Sequence, residues 1–186
     1  MGVIVGAVIA VLVLALVGWV ARIHNRLVRL RNQTQASWAQ IDVQLKRRLD
    51  LIPNLVETTR GYAEHERSTF EAVAAARSSA AVEGLGATDR AAAEQLLSSS
   101  LAQLLALGEA YPALKADGRF AKLQSELATA EDKIAYARQF FNSAVQSYNT
   151  ALETFPANLV AGFGAHAPKE YFEAEAAAQE PVRVEF

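Results

Sequence analysis

The stretch Arg119–Phe155, RFAKLQSELATAEDKIAYARQFFNSAVQSYNTALETF, decides the fold. Within it Phe120, Leu127, Ile134, Phe141, Tyr148 and Phe155 recur every seven residues. Leu123, Ala130, Ala137, Ala144 and Ala151 recur at the same interval, three places later. Apolar residues at that period form a seam along one side of an α-helix, and the seam packs on neighbouring helices as in a coiled coil. One seam position is large and the other is mostly alanine, so a neighbouring backbone can approach at the alanine rungs while the aromatic rings interlock. An aromatic stripe can also bind a ligand, but at this spacing the core role is the one expected. Phe155-Pro156 ends the helix, because a residue before proline is pushed out of the helical region.

The same logic extends outward. Trp38, Ile41, Leu45, Leu49, Ile52, Val56, Ala63, Phe70 and Val73 are separated by sums of three and four, which predicts an amphipathic helix over 25–80. Pro53 lies inside it and is expected to kink it, since proline removes one hydrogen bond and crowds the preceding turn. The alternative is that Asp50 caps a new helix with Pro53 in its first turn. Residues 83–89, with Gly84 and Gly86, form a turn, and Thr88 or Asp89 is placed to cap the next helix. That helix, from about 89 to 108, carries Leu97, Leu101, Leu104, Leu105 and Tyr111 on its inner side, and Pro112 and Gly118 bracket another turn. After Pro156 come Gly162, Gly164 and Pro168, then an expected short helix at 169–179 and an extended tail in which the alternation of Val184 and Phe186 suggests docking.

From Gly2 to Ala21 the chain has 20 residues without a charge, mostly Val, Ile, Leu and Ala. A helix of that length spans about 30 Å, the thickness of a bilayer hydrocarbon core. Trp19 falls near its end, where an indole suits the interface. A cleaved signal peptide fits poorly: no Lys or Arg precedes the run, and no small-x-small cleavage site follows. Arg22, Arg26, Arg29 and Arg31 come next, with no acid before Asp42. This flank is expected in the cytoplasm, leaving the N-terminus outside, and its arginines can contact anionic lipid at about 1 kcal/mol each. Gly2, Gly6 and Ala10 share one face, the spacing at which small residues let membrane helices approach closely.

Composition agrees. The chain has 186 residues, of which 37 are Ala, and 52% are hydrophobic; it has only 5 Pro. That favours helix over a β-sandwich or β-barrel. There is no cysteine, and the 3 histidines are scattered, so neither a disulfide, a zinc ribbon, thiol catalysis nor a multi-histidine metal site is expected. Net charge is −2 overall, yet residues 1–48 carry +6 and residues 49–186 carry −8. Such asymmetry suits work at a charged membrane surface and not nucleic-acid binding.

The reading is therefore all-α: an N-terminal transmembrane helix continuing into an up-and-down bundle of long antiparallel helices, with a short C-terminal helix and tail. Residues 1–22 are the anchor, 23–37 a basic juxtamembrane helix and 38–186 the bundle. The run Trp38–Val56, WAQIDVQLKRRLDLIPNLV, resembles the signature of the LemA family. So do Gly61-Tyr62-Ala63 with His65-Glu66, Ala110-Tyr111-Pro112 with Leu114-Lys115, and Ala137-Arg138 with Asn142. Tyr148-Asn149, Phe155-Pro156, Tyr171-Phe172-Glu173-Ala174 and Phe186 fit as well, so the resemblance covers essentially the whole chain. It implies a bacterial membrane-anchored protein with an up-and-down soluble bundle. The family has no settled biochemical activity, so no reaction is implied. Phe141 stands where the family more often has Tyr before Asn142, a change that keeps an aromatic core role.

No catalytic constellation emerges. His65 lacks a second histidine four residues away, Gly84 and Gly86 lack a following Lys-Ser/Thr, and Ser98–Ser100 have no local histidine. Glu131 and Asp132 are adjacent and so point different ways on a helix. Asn142 and Asn149 lie beside the seam, where a buried Asn sets helix register. No cofactor is expected. The leading expectation is a non-enzymatic membrane-anchored scaffold that forms a homo-oligomer at the bacterial cytoplasmic membrane. The alternative is a signalling adaptor that relays envelope state to a protein partner, a membrane protein among the candidates, using Pro53 as a hinge.

Overall fold

The structure, a computed structural model, describes residues 1–164 and 166–172. Among these residues there are six helices and no strand: α1 (Gly2–Arg60), α2 (Arg67–Ala80), α3 (Ala87–Ala110), α4 (Pro112–Lys115), α5 (Gly118–Glu153) and α6 (Ala157–Phe163). The chain divides into two compact units, one of residues 1–38 with 140–169, the other of 39–139 with the segment from Glu170; α1 and α5 contribute to both.

α1 runs through Pro53 without a break. Pro53 has no N–H to give to the carbonyl four residues back, that of Leu49. Arg77 Nε of α2 donates to that carbonyl instead, at 3.3 Å. Tertiary packing thus supplies the bond that proline removes, and the helix expected over 25–80 ends elsewhere, at Arg60. Gly61 comes next, a poor helix former. The Thr59 carbonyl accepts from the backbone N–H of both Tyr62 and Ala63, each at 3.0 Å, which closes the last turn. Residues 61–66 then connect α1 to α2.

In the second unit, Ile52, Leu55, Phe70, Val73, Ala76, Leu97, Leu101, Leu104, Leu114, Phe120 and Leu127 form one core. Gly84 makes the α2–α3 turn with φ of 77°, a conformation that costs other residues more. α3 starts with Gly86 at its cap position and no side-chain capping bond, so neither Thr88 nor Asp89 serves as the cap. α5 is capped by Asp117, whose Oδ1 accepts from the backbone N–H of Arg119 at 2.7 Å and Phe120 at 3.0 Å. The first unit has a smaller core of Leu27, Tyr148, Ala151, Leu152 and Ala161.

On α5, Phe120, Leu127, Ala130, Ile134, Ala137, Phe141, Ala144, Tyr148 and Ala151 are all buried. Phe155 is not: it lies past the end of α5 and is 78% exposed. Pro156 stops the helix, so Phe155 leaves the track that would carry it into the core. On α1, Ile41 and Leu45 are buried and Trp38 is half-buried, with its ring edge-on to Phe141 at 5.2 Å. A further helix, α6, occupies 157–163, where local sequence pattern predicts none. Residues 169–172 are not helical, and the rest of the expected helix, with Val184 and Phe186, lies outside the described residues.

Gly108 of α3 is packed beneath Phe120. A Cβ built on it would stand 2.9 Å from the Phe120 ring. Glycine to alanine in a helix interior normally gains about 1 kcal/mol. Here Gly108→Ala should instead cost roughly 1–3 kcal/mol, because the buried ring cannot swing away. Chemical denaturation checks this; an unchanged or higher midpoint would show that the ring yields.

Candidate functional site

A long exposed apolar surface lies at the start of α1. Every residue from Met1 to Arg22 is exposed, and the most apolar window of the helix is unburied throughout. Such a run of Val, Ile and Leu is costly to leave in water, and it is long and apolar enough to cross a bilayer. Gly2 and Gly6 have open space where a side chain would begin, and Ala10 is exposed in register with them. Trp19 is 46% exposed at the end of the run. Arg22, Arg26 and Arg29 then project freely. Arg31 differs: it is partly buried, with its Nε out of solvent and without a hydrogen-bond partner. Its charge acts on Tyr148 and His166 instead. Tyr148 and His166 Nδ1 share a hydrogen bond of 3.2 Å, and His24 meets the His166 ring edge-on at 5.7 Å. Burial first, then Arg31 and His24, hold His166 below the usual histidine range. Asn149 clamps the chain beyond α6: its side-chain amide both donates to the carbonyl and accepts from the N–H of Lys169, each at 2.9 Å.

The second unit holds a charged core that sequence reasoning missed. Arg48 is among the largest fully buried side chains. One guanidinium nitrogen donates to Glu131 and to Ser98 Oγ, the latter at 3.0 Å, and the other donates to Glu94. One turn before Glu94, Arg90 donates to the Ala80 carbonyl at 2.7 Å, capping the end of α2, and sits 3.8 Å from Asp42. Burial pushes the Glu94 carboxyl above its ordinary range, while the Arg48 charge and hydrogen bond pull it back. The signal was present but unusual. Ile41, Leu45, Arg48, Ile52 and Leu55 follow helical spacing, and so do Arg90, Glu94, Leu97, Leu101 and Leu104. The charges occupy apolar-track positions. Arg48 belongs by position to the basic N-terminal stretch, yet it is buried inside the bundle.

Asp117 adds an exposed tie. Tyr62 OH donates to its Oδ2 at 2.8 Å. That bond first, then the two cap amides, hold the Asp117 carboxyl below its usual range. A depressed carboxylate contributes stability above its unfolded pKa and loses it as pH falls through the folded one. Asp117→Asn should therefore flatten the acid limb of the stability profile, and pH-dependent thermal melts check it.

Among the described residues, no group of three His, Asp or Glu side chains is placed to hold a metal ion. What the geometry defines is a class: a membrane protein with an N-terminal apolar helix running into a helical bundle. Residues 37–186 match the LemA family model, and the chain belongs to that family. It is 26% identical over 206 residues to magnetosome protein MamQ 2 of Paramagnetospirillum magneticum, covering 96% of this chain and 76% of that one. It is 26% identical over 202 residues to magnetosome protein MamQ of Magnetospirillum gryphiswaldense, covering 94% and 74%. Protein LemA of Metamycoplasma hominis is 26% identical over 137 residues, covering 74% and 63%.

Proposed function

We propose that the protein is a non-enzymatic, single-pass scaffold of the bacterial cytoplasmic membrane, with its N-terminus outside, its bundle in the cytoplasm, and self-association through the anchor. One observation carries this: a wholly exposed apolar run shares one unbroken helix with core residues Ile41, Leu45 and Ile52. Membrane attachment and bundle are thereby coupled without a linker. The exposed arginines at 22, 26 and 29 favour the cytoplasmic side for the bundle. The open face of Gly2, Gly6 and Ala10 lets a second copy approach. Two of the relatives are named as magnetosome proteins, and none of the names states a reaction.

Topology and assembly are tested together. In a chain with no cysteine of its own, Val3→Cys should react with an impermeant thiol reagent from outside intact cells, and Ser79→Cys only after lysis. The reverse pattern overturns the orientation. Sedimentation of the full-length protein in lipid nanodiscs should show a discrete homo-oligomer that Gly6→Leu with Ala10→Leu dissociates. A monomer carrying one other protein would favour the adaptor instead.

A further inference from the structure

α6 is built the wrong way round for water. It is held by Ala161, which is buried against Leu27, Tyr148 and Leu152, with Ala157 packed beside it. Its large apolar side chains point outward: Leu159 is 58% and Phe163 is 96% exposed, and Phe155, in the turn before α6, is 78% exposed. From Thr154 to Pro168 the chain has no Asp, Glu, Lys or Arg. A surface helix normally turns its apolar face inward and charges outward.

Its position says what covers that face. Within the same unit, Val160, Phe163 and Gly164 line one concavity with α1, whose side of it runs from Leu16, Val17, Val20 and Ala21 to His24 and Asn25. The first four belong to the uncharged run and the last two follow Arg22, so the concavity straddles the end of that run. Val17 precedes Arg22 by five residues, about 7–8 Å along the helix axis. Helices that lie in a bilayer interface bury their apolar face by about 5–10 Å. Phe163 therefore stands at the depth where the head groups give way to acyl chains, beside a helix already there.

We propose that α6, with Phe155, is a second membrane element: Leu159 and Phe163 insert at the head-group boundary next to the anchor. The proposal rests on α1 spanning the bilayer. An inserted α6 pins the first unit against the membrane.

The test uses tryptophan depth in the full-length protein, reconstituted in phosphatidylcholine vesicles. The chain has 2 Trp, at 19 and 38, so Trp38→Phe leaves an anchor reporter. Trp19→Phe with Trp38→Phe and Phe163→Trp gives an α6 reporter, and the same background with Leu159→Trp gives a second. Expected is that lipid brominated near the head group removes about half of each α6 reporter's emission, as for an interfacial side chain. Aqueous iodide should quench them several-fold less than a free tryptophan amide. Full iodide quenching of both α6 reporters would overturn the proposal, and so would protection from iodide without lipid quenching, which marks cover by a second copy. If the Trp19 reporter itself escapes lipid quenching, the span has failed and not α6 alone.

Discussion

Arg48→Met should lower the stability of the bundle by about 3–5 kcal/mol, the usual cost of removing one partner of a buried ion pair. The guanidinium is fully buried and holds Glu94 and Glu131 together; without it, Glu94 is a buried charge lacking its hydrogen-bond donor. For a chain of this size the loss corresponds to a fall of roughly 10 °C or more in the melting temperature. Two companion measurements separate charge from volume. Arg48→Met with Glu94→Leu should recover most of the loss, since replacing a whole buried pair by apolar groups is often neutral. The deficit should also shrink at low pH. Burial already pushes the Glu94 carboxyl up, and loss of Arg48 removes the group that pulls it down. A carboxyl with a raised folded pKa contributes most below its unfolded pKa, and that contribution is lost as pH rises through the folded value. The variant should therefore approach the parent towards acid. A single variant that melts like the parent would show that the ion cluster is dispensable.

The second large effect belongs to the anchor. Val8→Arg with Leu12→Arg should move the protein from the membrane to the soluble fraction. Each arginine near the centre of a spanning helix costs about 2.5–3.5 kcal/mol, and the two together outweigh what the remaining run supplies. Val8 and Leu12 are both more than half exposed, so the bundle should keep its melting temperature. Retention in the pellet after alkaline carbonate extraction would show that this run is not what holds the protein there.

Much of this architecture is readable without coordinates, for a physical reason. Period and run length are local properties. The seven-residue recurrence along α5 puts Phe120 through Ala151 on one side of a helix, and burial results because that side is the one water rejects. The uncharged run after Met1 is long enough to span a bilayer by counting alone. The break after Arg60 is harder to read, because Pro53 is the stronger local signal and Gly61 the weaker one. α6 is hidden behind Gly162 and Gly164, which read locally as loop.

The sequence by itself determined the all-α class of the described residues, a long N-terminal apolar helix with a basic flank, the seam along α5 and the family. These rest on patterns among residues a few places apart, which helix geometry turns into faces. Only tertiary structure decided the rest. Arg77 of α2 satisfies the Leu49 carbonyl that Pro53 orphans, so proline leaves α1 unbroken. Arg48, on an apolar track, finds Glu94 and Glu131 on two other helices. Phe163 comes to line one concavity with Val17, more than a hundred residues earlier in the chain. A charge in a core or an aromatic ring on a surface is favourable only through partners that are distant in sequence, and folding is what brings those partners together.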